Sequence, residues 1–248
     1  MAYNKWIGGG LGWAFGGPIG MVLGFAVGAM IDHIQEPELL EEERMGQQPP
    51  PGATTSGDLS MSLVVLTAAI MKADGRVTRS ELDHVRRFFL QQFGTAQARY
   101  MLLLLRDVLK QDIPVHQVAM QIRRHMPHAA RLQLMHYLIG LAHADGRIPP
   151  PELQLLRRIA HDMGVSEKDL GSLSAMFRTT EPGAAYKILE IDPKVSDEEV
   201  KKAYRRMAMK YHPDKVAQLG EEVQKAAAEK FRKVQEAYEA IQKERGMV

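Results

Sequence analysis

His212 and Asp214, one on either side of Pro213, are the pair in this chain best suited to chemistry. An imidazole beside a carboxylate can move a proton, but catalysis needs a nucleophile or third orienting group as well. None accompanies this pair. The chain of 248 residues contains no cysteine, which excludes disulfides, cysteine-ligated zinc and thiol catalysis. A second constellation is oxygen-rich. Asp74-Gly75 is followed by Glu81, and Asp145-Gly146 by Glu152, each spelling the second half of a calcium loop. The first half fails, because the ligand positions hold Ile70 and Lys72 in one copy and Leu141 and His143 in the other. Two readings stay open. Asp74, Glu81, Asp145 and Glu152 hold one metal if pseudo-symmetry brings the turns together. Alternatively each Asp organises its turn and each Glu sits in a helix's first turn, where the helix dipole favours it.

Two helical stretches must position His212-Pro213-Asp214. Proline cannot continue a helix and pushes the residue before it out of the α region, so the tripeptide belongs at the tip of a hairpin. Before it, Val200, Ala203, Tyr204, Met207, Ala208 and Tyr211 recur at steps of one, three and four, giving one apolar stripe. Ser196 followed by Glu199 is a capping box that starts this helix. After it, Ala227, Phe231, Val234, Ala237, Tyr238 and Ile241 form the facing stripe, with Tyr186, Ile188 and Leu189 closing the core. Lys201, Lys202, Arg205, Arg206 and Lys210 lie off the first stripe with no acid between Val200 and Tyr211. Like charges without acids four residues away repel one another, which predicts an acidic partner.

The order Ala185-Tyr186-Lys187-Ile188-Leu189, Lys201 to Ala208, Tyr211 to Lys215, Lys230-Phe231 and Ala237-Tyr238 resembles a J domain, the Hsp70-stimulating module of DnaJ-type co-chaperones. The resemblance implies that Lys201, Arg205 and Arg206 contact ATP-bound Hsp70 (DnaK) and that His212, Pro213 and Asp214 form the signalling loop. It implies a core of Tyr186, Leu189, Tyr204, Phe231 and Tyr238. It also implies no catalysis and no cofactor in this chain, since the partner binds the ATP. The missing cysteines exclude the zinc repeats of full-length DnaJ-type chaperones.

Ile7 to Ile31 runs for 25 residues without a charge, long enough to cross a bilayer core. Gly8, Gly12, Gly16, Gly20, Gly24 and Gly28 put a small residue at every fourth position. Such a ridge lets membrane helices approach closely, so it predicts a membrane anchor (residues 1–34) and a homodimer through the span. Asp32 and five glutamates follow it, then a proline-rich linker (35–58). Charge alone weakly sets the N-terminus in the cytoplasm. A working J domain needs cytoplasmic Hsp70, which places the C-terminal portion in the cytosol, on the inner membrane.

The middle, 59–178, reads as helices over 60–73, 79–93, 95–110, 114–125, 128–144, 150–163 and 167–177. Leu102 to Leu105 is read as core. Ile70 to Val77 recurs 71 residues later as Leu141 to Ile148, each copy a helix, an Asp-Gly turn and a helix. This pattern resembles the tellurite-resistance TerB-like domain. Sixteen Lys and Arg against ten Asp and Glu lie between Leu59 and Arg178, an excess that suits either solvent or anionic lipid headgroups. The whole net charge of +2 carries no nucleic-acid signature.

The expected fold is therefore all-α: a glycine-rich transmembrane helix, a TerB-like helical bundle with an internal repeat, and a C-terminal J-domain hairpin (179–248). The order of parts resembles DjlA-type membrane-anchored J-domain co-chaperones. Two alternatives remain. The TerB-like part senses a metal or ligand with the J domain as output, or the chain is a soluble J protein oligomerised by its glycine-rich segment.

Overall fold

The computed structural model describes residues 17–24, 56–75, 77–143 and 148–247. Among them there are helices and turns and no strand. The chain divides into two compact units, Met1–His125 and Met126–Val248.

In the first unit, residues 17–24 are helical (α1), and Gly20 and Gly24 of the small-residue ridge lie on them. Ile19 N–H donates to Gln121 Oε1 at 2.9 Å. Gly8, Gly12, Gly16 and Gly28, the acidic run and most of the linker lie outside the described residues. Among the described residues no helix is long and apolar enough to cross a membrane. Helix α2 (Ser56–Met71) begins inside the expected linker. Leu59, Leu63 to Leu66 and Ala68 to Met71 are all buried, as befits a helix apolar on every side.

Helix α3 (Arg79–Val108) starts at a capping box in which Thr78 accepts from Glu81 N–H and Glu81 accepts from Thr78 N–H. It breaks at Gly94, whose φ of 70° and ψ of 175° are open to glycine alone. The two sequence-predicted helices over 79–93 and 95–110 meet there. A Cβ at Gly94 would have nothing within 4 Å, so Gly94→Ala isolates backbone strain. It should lower stability by about 1–3 kcal/mol in chemical denaturation. Gly171→Ala, in a helix with open space around it, should instead stabilise by about 0.5–1 kcal/mol. Helix α4 (Val115–His125) completes the described part of this unit and buries Val118, Ala119 and Ile122.

The second unit is built around α5 (His128–His143), with ten residues buried. Helices α6 (Pro150–Asp162) and α7 (Glu167–Ala175) pack on it. The hairpin follows: α8 (Ala184–Ile188), α9 (Asp197–Lys210), a 3-10 helix (Pro213–Leu219) and α10 (Glu221–Arg245). The predicted capping box is present, with Ser196 Oγ accepting from Glu199 N–H at 3.3 Å and Ser196 N–H donating back at 3.1 Å. Val200, Ala203, Met207 and Tyr211 face Val223, Ala227, Val234 and Ile241 in the buried core, with Tyr186, Ile188 and Leu189. Tyr204 and Tyr238 are half-buried and stack across the hairpin at 4.3 Å. At the far end, Arg245 donates to the carbonyls of Pro193 and Val195, to Asp197 and to the Tyr186 hydroxyl. One guanidinium thus ties the end of α10 to the start of α9.

Candidate functional site

Tyr211 ends α9 and is buried, so the chain turns at a fixed point. His212 follows in an extended conformation, φ −61° and ψ 131°, which is what a residue before proline is driven to adopt. Pro213 then opens the 3-10 helix, where a missing N–H is tolerated. Val216 and Leu219 are buried and pin that helix against α10. His212 Nδ1 accepts from Asp214 N–H at 3.3 Å, so in its neutral form the proton sits on Nε2. Its ring meets the Phe231 ring edge-on at 5.8 Å. The His212 side chain is 49% exposed and that of Asp214 80%. The fold orients the histidine and sets the largely exposed Asp214 carboxylate 3.5 Å from its Nδ1.

The basic residues of α9 fall into two groups. Lys201, Lys202 and Arg205 are exposed. Arg206 donates to the Leu189 carbonyl at 3.1 Å and stands 3.9 Å from Glu190 while half-exposed. Lys210 is largely covered, paired with Glu190 at 2.5 Å and with Asp169 of α7. Burial alone would raise the Asp169 carboxyl, but hydrogen bonds from Lys210 and Ser166 outweigh it and hold it below its ordinary range. Glu190 has a φ of 58°, a strained conformation for a residue with a side chain. Met209 was not singled out by periodicity because it belongs to no buried stripe. It is 66% exposed, the most open large apolar side chain described. It lies three and four residues beyond Arg206 and Arg205, on the basic face beside the loop. An exposed methionine among cations was the available signal.

The hairpin shares its core with α5 and α7. Ser172 Oγ of α7 donates to the Ile188 carbonyl at 2.8 Å in the interior. Lys230 of α10 is 3% exposed and donates to Gln133 Oε1 of α5 and, at 3.2 Å, to the Ala226 carbonyl. Burial pushes the Lys230 ammonium down to about 7. His136, one turn along α5 from Gln133, is held well below its ordinary range by burial and then by the Lys230 charge.

The acidic repeat residues are placed differently. Glu81 caps α3 and Glu152 lies in the first turn of α6. Asp74 is exposed, and Asp145 lies outside the described residues. Among the described residues no three potential ligands gather as a metal site would require. A cleft of about 360 Å³ in the second unit is lined by His143, Leu153, Arg157 and Arg178, with Glu167 and Glu181 among its acids. Arg178 and Glu181 pair at 3.4 Å, so its mixed rim selects no ligand charge.

Family comparisons agree with this architecture in chain order. Residues 1–53 match the co-chaperone DjlA transmembrane domain, residues 60–175 the tellurite resistance protein TerB, and residues 184–246 the DnaJ domain. A TerB domain followed by a hairpin that displays His-Pro-Asp makes this a J-domain co-chaperone. The chain is 30% identical to Co-chaperone protein DjlA of Vibrio cholerae over 219 residues, 72% of this chain and 75% of that one. It is 26% identical to that of Coxiella burnetii, covering 99% and 98% of the two chains, and 27% identical to that of Haemophilus influenzae, covering 98% of each. The chain belongs to the DjlA family of co-chaperones. No solved structure matches it.

Proposed function

We propose that this chain is anchored in the inner membrane by Ile7 to Ile31, faces the cytosol, and stimulates ATP hydrolysis by a DnaK-type Hsp70. The observation that carries the reading is the exposed His212-Pro213-Asp214 loop continuing from an exposed basic face with Met209 in it. Lys201, Lys202 and Arg205 steer an acidic surface toward the loop, and Met209 offers a contact that gains by leaving water. The chain performs no bond chemistry; Hsp70 holds the nucleotide. Anchoring concentrates recruited Hsp70 at the bilayer. Insertion must release the Ile19–Gln121 hydrogen bond, whose net contribution is about 1 kcal/mol, and take Val22 out of the core site where it is buried, apolar surface that lipid tails cover again. That is a small obstacle for a charge-free stretch of this length.

The test is single-turnover ATP hydrolysis by a DnaK-type Hsp70 with the full chain added. Acceleration is expected, and its absence with well-folded protein sinks the reading. Met209→Ser should raise the concentration needed for half-maximal stimulation by about tenfold, the effect of losing roughly 1.4 kcal/mol of contact, and leave the maximal rate unchanged.

A further inference from the structure

Of the eight exposed large apolar side chains among the described residues, Val77, Leu82, Leu90, Tyr100 and Leu103 fall on α3 or just before it. Leu103 departs from the sequence expectation: Leu104 and Leu105 are core, but Leu103 is 42% exposed, as is Tyr100. Arg99, Leu103 and Arg106, and Lys110 in the turn just past the end of α3, follow one another at steps of four, three and four residues, the spacing of one helix face, and Tyr100 adjoins it. All are exposed. Buried Asp107 pairs with Arg106 at 3.0 Å and Lys110 at 2.7 Å, which holds both cations at the surface. Three cations stand against that one carboxylate.

We propose that this outer face of α3 lies on the headgroup surface of an anionic bilayer, with Tyr100 and Leu103 dipping toward the acyl boundary and the cations on lipid phosphates. Two arguments select a membrane over other occupants. The mixture of cations with an aromatic and an aliphatic side chain is what the interface favours, apolar at one end and wet and anionic at the other. The second argument rests on the anchoring proposed above. Only 24 residues separate Ile31 from Ser56, so α2 begins within ~85 Å of the bilayer however that stretch is arranged. A weak surface contact then becomes intramolecular.

The absence of cysteine makes the test direct. Leu103→Cys and, as a control on α10, Glu239→Cys each carry one environment-sensitive fluorophore. The full chains are reconstituted in phosphatidylcholine vesicles with or without phosphatidylglycerol, and headgroup-level nitroxide lipids serve as quenchers. The position 103 probe should be blue-shifted and quenched only with phosphatidylglycerol, and the position 239 probe should not. Quenching should fall at least about twofold as salt shortens the Debye length from ~10 Å to ~3 Å, and on adding Arg99→Glu. Equal quenching at the two positions, or insensitivity to lipid charge, overturns the proposal. A position 103 signal that follows protein density rather than lipid composition also overturns it, in favour of a second copy on this face. Flotation after alkaline extraction reports anchoring separately. If the chain does not float, anchoring fails, and the face is judged by adding the same vesicles to the free protein: salt-sensitive quenching at position 103 sustains it, and no quenching overturns it.

Discussion

A His212→Gln chain should still engage a DnaK-type Hsp70 and yet fail to accelerate its ATP hydrolysis. Binding should survive because Lys201, Lys202, Arg205 and Met209 precede the loop on a helix with its own cap and core. Signalling should fail because the loop's orientation depends on the imidazole. Its Nδ1 receives the Asp214 N–H, and its ring stands perpendicular to that of Phe231. Glutamine can accept a hydrogen bond but has no rigid ring to hold against Phe231. The expected fall in stimulation is at least about tenfold, equivalent to 1.36 kcal/mol or more of lost barrier reduction. Folding stability should change by less than about 1 kcal/mol, since the side chain is half-exposed. Parallel ATPase and thermal-melt measurements separate the effects. Full stimulation by the variant would show that the loop is not the signalling element.

Lys230 should give the second unit an unusual pH dependence. Its amine titrates at 10.5 in the unfolded chain and about 7 in the folded one. Between those values the unfolded state holds a proton that the folded state has released, so stability rises with pH across that window. The cost is fully present below pH 7 and gone above 10.5; across the window it amounts to roughly 4–5 kcal/mol. Lys230→Met removes the titration but also the donor to Gln133 and the Ala226 carbonyl. Leaving a buried acceptor unpaired costs about 1–3 kcal/mol. The variant should therefore be more stable than the parent near pH 7 by about 1–3 kcal/mol and less stable near pH 10 by up to about 2 kcal/mol, where a little of the lysine's cost still remains. Denaturation midpoints in the two buffers check this. Parallel curves would mean that Lys230 is not buried against α5.

The helices were legible because their signals are local. The capping box at Ser196, the break at Gly94 and the proline at 150 each act within one turn, and the apolar steps around them agree. Lys230 was also within reach of periodicity. It sits four residues before Val234 and seven before Ala237, inside the α10 stripe, whereas Phe231 and Tyr238 lie at its edge and are half-buried. A lysine in a stripe is normally expected to reach its amine out to water, so the residue type argued against the position. Gln133 and Asp169 could not be assigned as partners from sequence, because their contacts span 97 residues to Lys230 and 41 to Lys210. Which cations of the basic helix reach an acid of another element was hidden for the same reason. It depends on Glu190 and Asp169, which only the tertiary fold brings to Arg206 and Lys210.

The contacts of Lys210, Ile188 and Lys230 with α7 and α5 bear on how far this hairpin can be treated as an interchangeable part. A J domain cut at residue 179 and grafted elsewhere would carry Lys230 into water, where its amine regains an ordinary affinity for protons. It would also free Lys210 from Asp169 and add a cation to the partner-facing helix. The transplanted hairpin would then be more positive than the one in its native setting, and its response to salt would differ accordingly. Chimeras that exchange only the hairpin should therefore report on a different surface from the one this chain presents, and exchanges that include α5 to α7 should not.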